Sequence, residues 1–135
     1  MFTRHKIKKF IWFCVALTVL AIVAYISVAH SKKTLHDNGD FTYGRIIDVG
    51  NRPKGGCWFD YGFEVDGRFY YGAGSSLDLD KSVVECLKNK HWNVPVLYDR
   101  RYPGTSDMLV QLSDFEFYNL ALPDSMASSL QFPCK

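Results

Sequence analysis

The sequence has little net charge and lacks the short motifs that mark common catalytic and metal sites. Its 16 Lys and Arg against 14 Asp and Glu give a formal net charge of +2, and much of that excess lies in the first nine residues. This distribution is not the basic footprint of a nucleic-acid-binding protein. The chain contains no G-x-S-x-G, H-E-x-x-H, S-x-x-K, C-x-x-C or H-x-x-x-H pattern. We therefore predict no enzymatic activity, no catalytic residue, no cofactor and no nucleic-acid partner.

One long stretch has no charge at all. Residues Phe10 to Ala29 number 20 and include Trp12 and Tyr25 towards the two ends. A helix of this length covers about 30 Å, the thickness of the hydrocarbon core of a bilayer. Amphipathic rings such as those of Trp and Tyr favour the two interfaces. The pattern predicts a basic tail over residues 1–9 and a transmembrane helix over residues 10–29.

A cleaved secretory signal is the alternative interpretation of this segment. It would use the basic start and the small-x-small site Ser27-Val28-Ala29. The apolar part of a signal usually runs about 7–15 residues, so the greater length favours a retained signal-anchor. Four Lys or Arg precede the span, whereas only Lys32 and Lys33 follow it closely. The positive-inside rule then predicts a single pass, with the N-terminus in the cytoplasm and the domain outside.

The rest of the chain suffices for one small domain. We predict a polar linker over residues 30–40, a β domain over 41–125 and a weakly patterned tail over 126–135. The Asn38-Gly39 pair within the linker is a turn signal. Phe41 to Val49 is rich in β-branched and aromatic residues and forms the first predicted strand, and the glycine-rich residues 50–56 form a loop.

A β-hairpin follows, with its turn at Asp66-Gly67, a preferred pair for a type I′ turn. The strand Cys57 to Val65 alternates, and Arg68 to Gly72 returns. This turn predicts a register with these opposed pairs: Val65 and Arg68, Phe63 and Tyr70, Gly62 and Tyr71. Gly74-Ser75-Ser76 is then predicted to open a loop.

Three short elements complete the predicted domain. A helix is expected at about Lys81 to Asn89, with capping-box spacing from Ser82 to Glu85, and strands at Val94 to Tyr98 and Met108 to Leu112. Pro95 favours an edge or a strand start. Capping-box spacing at Ser113 predicts a further helical turn over 114–119. Together these elements predict a mainly β fold, in which a transmembrane helix precedes a five-stranded bent sheet or barrel of the SH3 or OB kind with one or two short helices.

Two spaced motifs resemble those of a widespread bacterial family of small, membrane-tethered β domains whose function is uncharacterised. They are Tyr61-x-Phe63-x-Val65-Asp66-Gly67-x-x-Tyr70-x-Gly72 and Val94-x-Val96-x-Tyr98-Asp99-x-x-x-Pro103. Asp114-Phe115-Glu116 and Pro123-Asp124-Ser125 are similar to a variant with a C-terminal extension. The resemblance covers roughly residues 41–125. It implies a compact β-barrel beside a membrane helix, and it implies no activity. We predict that this helix lies in the cytoplasmic (inner) membrane of a bacterium. The sequence departs from the pattern in its three soluble cysteines.

Those cysteines, Cys57, Cys86 and Cys134, are odd in number, which leaves one of them free or paired with another chain. Outside the cytoplasm a disulfide is permitted, and we favour Cys57–Cys86, which would join the hairpin to the helix. Cys86–Cys134, Cys57–Cys134 and three free thiols are the alternatives. Cys86 and His91, five positions apart, could bind a metal together with Cys57, Cys134 or His36. The spacing is not typical of zinc, and we predict no metal site.

Aromatic residues crowd the predicted hairpin. The register places Trp58, Phe69 and Tyr71 on the face opposite Phe59, Phe63 and Tyr70, and one face of a barrel is outside. We predict that Trp58, Phe69 and Tyr71 contact a partner, unless the N-terminal strand or the C-terminal extension covers them. Contact with lipid headgroups and binding of a ligand are alternatives for the same strip. The expected function is a non-enzymatic binding or accessory module with an envelope or membrane protein as partner. A thiol-redox or metal-dependent envelope enzyme and a self-associating structural membrane protein are the alternatives.

Overall fold

The computed structural model describes residues 4–134 and divides the chain into two units that meet between Lys33 and Thr34. In the first unit, helix α1 (Arg4–Asn38) exposes its apolar side chains from Ile7 to Val28. The stretch Lys6–Asn38 is long and apolar enough to cross a membrane. Its 18-residue apolar window has a mean hydropathy of 2.5, and no part of that window is buried. Length and composition alone support that statement.

The predicted linker is wrong, because helix α1 continues to Asn38 and a strand begins at Gly39. The last turn of α1 belongs to the second unit, where Leu35 is buried and His36 bonds through Nδ1 to the carbonyl oxygen of Tyr118 at 2.7 Å. These contacts stabilise a helical turn that its polar composition does not favour. Gly39 lies against the carbonyl of Leu35, where a Cβ would overlap that oxygen.

Five antiparallel strands form a curled half-barrel in the second unit, in the order β3-β2-β1-β4-β5. They are β1 (Gly39–Asn51), β2 (Cys57–Val65), β3 (Arg68–Ser76), β4 (Val94–Asp99) and β5 (Ser106–Met108). The helices are α2 (Lys81–Asn89), α3 (Leu112–Phe117) and a 3₁₀ helix, Asp124–Leu130. The bent five-stranded sheet and the short helices were predicted, and the structure confirms them.

The predicted hairpin is confirmed in its turn and its register. Asp66 and Gly67 have φ values of 51° and 75°, the positive values that a type I′ turn requires. Val65 pairs with Arg68 and Gly62 with Tyr71. Strand β3, however, runs to Ser76, so the predicted loop at residues 74–76 is wrong. The glycines at 72 and 74 stay in the strand because the rings of Tyr61 and Phe59 cover them and no side chain could fit there.

Several other boundaries differ from the predictions. Strand β1 is longer than residues 41–49 and contains a bulge between Ile46 and Asp48. Helix α2 has the predicted bounds, but its N-cap is Asp80, so the predicted capping box at Ser82 is wrong. Strand β4 is flanked by β1 and β5 and is therefore not an edge; Pro95 is its second residue, in agreement with the strand-start alternative.

The segment after β4 shows the largest difference. Strand β5 ends at Met108, whereas a strand over residues 108–112 was predicted, and α3 begins at Leu112. The side chain of Asp114 accepts the N–H groups of Val110 at 2.8 Å and Gln111 at 2.9 Å, which caps α3 two residues earlier than expected. The buried residues Leu109 and Val110 resemble a strand in sequence, but this cap turns the chain into a helix.

Two apolar clusters hold the second unit together. One fills the half-barrel and includes Phe59, Tyr61, Phe63 and Val96. The other contains Leu97, which points to the opposite face of β4. It packs with residues of α1, α3 and the segments on either side of α3, namely Leu35, Leu109, Phe115 and Tyr118. The predicted weak tail belongs to the fold: Met126 and Ser129 are buried in the 3₁₀ helix.

Candidate functional site

Four apolar side chains form an exposed patch on the convex side of the hairpin, which we call the outer aromatic face: Ile47, Trp58, Phe69 and Tyr71. Their exposed fractions are 46%, 39%, 67% and 69%, respectively. The three predicted contact residues, Trp58, Phe69 and Tyr71, therefore lie on one side of the hairpin and face solvent. Among residues 6–134, neither the N-terminal strand nor the C-terminal segment covers them. The C-terminal segment reaches this side of the sheet at Tyr43, whose hydroxyl donates to the carbonyl of Ser125 at 3.1 Å.

Glycines let two of these rings approach the sheet closely. The indole of Trp58 lies against Gly50, its cross-strand neighbour, where a Cβ would overlap the ring. A Cβ on Gly62 would stand 3.1 Å from Ile47 Cδ1 and 3.6 Å from the Tyr71 ring. Ile47 and Tyr71 thus approach each other over Gly62, and the patch is continuous there. Sequence reasoning missed Ile47 because only the bulge in β1 turns it to this side.

Carboxylates alternate with the rings along β2. Asp60 lies between Trp58 and Gly62 on the same face, and Glu64 pairs with Phe69 across the hairpin. Asp48 on β1 is directly opposite Asp60. Lys88 forms an exposed ion pair with Asp48 at 3.8 Å. The outer aromatic face therefore combines ring surfaces with negative charge.

The predicted Cys57–Cys86 disulfide is wrong, because the structure pairs Cys86 with Cys134. Cys57 points from β2 into the half-barrel and is fully buried there. Cys86 lies on the half-exposed side of α2, whose buried residues are Val84 and Leu87, and the C-terminal segment brings Cys134 to it. Burial raises the pKa of the Cys57 thiol, and the charge of Asp80 raises it further. Such a thiol is the opposite of an activated nucleophile.

The residues considered as metal ligands do not come together as a set. Cys86 and Cys134 are bonded to each other, and His36 is engaged with the carbonyl of Tyr118. His91 follows α2 with a φ of 50°, in the turn that ends this helix. The part of the chain that the structure describes contains no group of three His, Cys, Asp or Glu side chains placed to hold a metal.

Two partly buried hydrogen bonds between side chains connect β5 to other parts of the unit. Tyr118 donates to Asp107 Oδ2 at 2.7 Å, and the hydroxyls of Tyr61 and Ser106 are 3.0 Å apart. Burial raises the pKa of Asp107 and raises the pKa of Tyr61 to about 12. The pKa of Tyr118 is raised first by burial and then by the negative charge of Asp107. The bonds connect β5 to β2 and to the end of α3, so these groups have a structural role that sequence reasoning did not anticipate.

Comparison of the chain with protein-family models, with curated proteins and with solved structures found no match. The family resemblance carried by the two spaced motifs stays a prediction. The motif residues do have structural roles here: Asp66-Gly67 forms the hairpin turn, and Tyr61, Phe63 and Tyr98 are buried in the half-barrel.

Proposed function

We propose that this protein is a single-pass, membrane-anchored accessory module of the bacterial cell envelope, which binds a protein partner through the outer aromatic face. The observation that carries this proposal is the exposure of Trp58, Phe69, Tyr71 and Ile47 on a sheet that already has two packed clusters. Continuous apolar patches on a folded surface mark interaction sites, and Trp and Tyr are enriched at protein interfaces.

The anchor is the apolar part of α1. Its large apolar side chains from Ile7 to Val28 are exposed, and the stretch exceeds the roughly 20 residues that a bilayer requires. In water such a surface would be strongly unfavourable, at about 25 cal/mol for each Å² of apolar area. A helix in the inner membrane provides the environment that this composition needs.

Two independent features support a domain outside the cytoplasm. The charges flanking the apolar stretch favour an N-terminus inside, by the positive-inside rule. The Cys86–Cys134 disulfide lies in the second unit, and disulfides persist mainly in oxidising compartments. The same proposal includes the finer fold assignment, a small barrel of the SH3 or OB kind, which the order and curl of the five strands support.

Site-specific photo-crosslinking in cells tests the proposal. A photoreactive phenylalanine analogue replaces Phe69 or Tyr71 in the full chain, and Tyr102 in the β4–β5 turn serves as the control position, because its side chain is equally exposed. We expect a discrete adduct with one envelope or membrane protein from positions 69 and 71 and none from position 102. The assignment of the face would be refuted by adducts of equal yield from positions 69, 71 and 102, or by the absence of any adduct from all three positions.

A further inference from the structure

We infer that the outer aromatic face binds a basic, extended segment of the partner, with arginine side chains stacking on its rings and pairing with its carboxylates. The inference rests on the proposed function and adds the chemistry of the partner. It starts from the order of groups along β2, where Trp58, Asp60, Gly62 and Glu64 lie on the outer side.

These four positions form a repeating pattern. Successive outer residues are roughly 7 Å apart, twice the rise of a strand residue. Tyr71 is paired with Gly62 and lies over it, and Phe69 is paired with Glu64. Four groups therefore follow one another along β2 at a constant spacing. They are the ring of Trp58, the carboxylate of Asp60, the ring of Tyr71 over Gly62, and the carboxylate of Glu64 beside the ring of Phe69.

The carboxylates of this face are only partly balanced, because Lys88 pairs with Asp48 alone. Asp60 and Asp48 are opposed across β1 and β2, and like charges in this position destabilise a sheet. Within residues 6–134, neither Asp60 nor Glu64 makes an ion pair. Arg45, which pairs with Gly62 from β1, directs its Nε to Asn93 Oδ1 at 3.2 Å. A cation from a partner would relieve the repulsion.

Arginine fits this arrangement better than other cationic groups. Its planar guanidinium stacks on aromatic faces and also matches a carboxylate with two parallel hydrogen bonds. Trp and Tyr are the most favourable rings for a cation, and both are exposed here. A partner strand presents alternate side chains at the same spacing of roughly 7 Å, so arginine at every second position would match the pattern.

The other candidate occupants are less complementary. A second copy of the chain would bring the same carboxylates against Asp60 and Glu64, and an anionic lipid surface would be repelled by them. A neutral glycan could stack on the rings but would leave Asp60 and Glu64 without a counter-charge. Electrostatic complementarity of this kind selects partners by penalising the wrong ones.

A peptide titration of the full chain tests the inference. The protein is reconstituted in nanodiscs of zwitterionic lipid, and the probe is a blocked peptide in which arginine alternates with threonine. Two matched peptides carry lysine or citrulline instead of arginine; citrulline keeps the planar shape and removes the charge. We expect affinity to decrease from arginine to lysine to citrulline, and binding of the arginine peptide to weaken with added salt.

Protein variants locate the binding site. Tyr71→Ala should weaken binding of the arginine peptide by about 2- to 30-fold, the range of a cation–π contact. Asp60→Asn should weaken it by about 1.5- to 5-fold, as for an exposed ion pair, and Asp60→Lys should weaken it by about 2- to 25-fold, because a repulsion of similar size replaces the attraction. Tyr102→Ala and Glu116→Gln remove an exposed ring and an exposed charge elsewhere on the unit and should leave the affinity unchanged. Unchanged hydrogen-exchange protection of the core would show that each variant is folded.

Each contrary result overturns the inference. These results are equal affinity for the arginine and citrulline peptides, affinity unaffected by Asp60→Lys, self-association through the face, and binding of neutral glycans or anionic vesicles in place of the peptide. The proposed function fails separately: it is refuted if photo-crosslinking finds no partner, even when the arginine peptide binds. If the crosslinked partner contacts the face through a segment without basic residues, the function stands and only this inference is wrong.

Discussion

Removing the disulfide between α2 and the C-terminal segment should lower the unfolding free energy of the second unit by about 4 kcal/mol. Cys86 and Cys134 are separated by 48 positions. Closing a loop of that size lowers the entropy of the unfolded chain by about 14 cal/mol/K, which at 25 °C gives this magnitude. Since small domains have a total stability of about 5–15 kcal/mol, Cys134→Ser should remove a large part of it.

The native structure should survive this change. The C-terminal segment keeps other contacts, because Met126 and Ser129 are buried and Trp92 Nε1 donates to the carbonyl of Ser129 at 2.8 Å. The effect therefore arises mainly from a less restricted unfolded state. We expect the midpoint in urea to fall and the slope of unfolding free energy against urea to rise, because the unfolded chain without the bond is more expanded and exposes more surface.

The assay is equilibrium unfolding of the full chain in detergent micelles, followed by tryptophan fluorescence with and without reductant. Reduced wild type and Cys134→Ser should unfold together, well below oxidised wild type. The midpoint temperature should fall by roughly 15–30 °C, at about 4–8 °C for each kcal/mol in a domain of this size.

Cys57→Ala is the matched control. It leaves the disulfide intact, so its stability should remain as sensitive to reductant as that of the wild type. If Cys57→Ala abolishes the sensitivity, the bond involves Cys57 and the pairing is wrong. If oxidised wild type and Cys134→Ser have the same midpoint, the reasoning from chain entropy is refuted.

Three further predictions concern packing, charge and topology. Gly72→Ala should destabilise the unit by about 1–3 kcal/mol in urea unfolding, because the new Cβ overlaps the Tyr61 ring, whereas Gly104→Ala, with nothing within 4 Å, should be near neutral. Burial holds the pKa of Asp107 in the folded state above its usual value. Between the usual pKa and the raised pKa, the folded state therefore binds more protons than the unfolded state, and the stability of the wild type should fall as the pH rises through this range. Asp107→Asn, which still offers an oxygen to Tyr118, should show a smaller fall, because burial raises the pKa of Asp114 as well; unfolding measured over a pH series would contradict the assignment if both proteins respond alike. In intact cells, a membrane-impermeant reductant should open the disulfide, whereas Cys86 and Cys134 already present as free thiols before treatment would place the domain inside.

The hairpin shows which features short-range signals can predict. The Asp66-Gly67 pair takes the positive φ values of a type I′ turn, and the length of the turn sets every pairing of β2 with β3. Alternation along β2 then separates buried Phe59 from exposed Trp58. The three predicted members of the outer aromatic face follow from these local rules, since opposed residues share a face.

Longer-range contacts account for the errors. Gly74 reads as a loop in the sequence, but the ring of Phe59 covers it and keeps it in β3. Leu109 and Val110 read as a strand, but the carboxylate of Asp114 accepts N–H groups from this segment and starts α3. In each case a side-chain contact overrides the local preference of the backbone.

The sequence alone determined three features of this protein: an uncharged stretch of bilayer length, the hairpin with its register, and the separation of its aromatic residues onto two faces. Each depends on composition or on residues within a few positions of one another. Tertiary structure decided the pairing of Cys86 with Cys134, the turning of Ile47 towards the outer aromatic face, and the helical turn that replaces the expected linker. These depend on the curl of the sheet and on where the C-terminal segment packs, because both bring together groups that are distant along the chain.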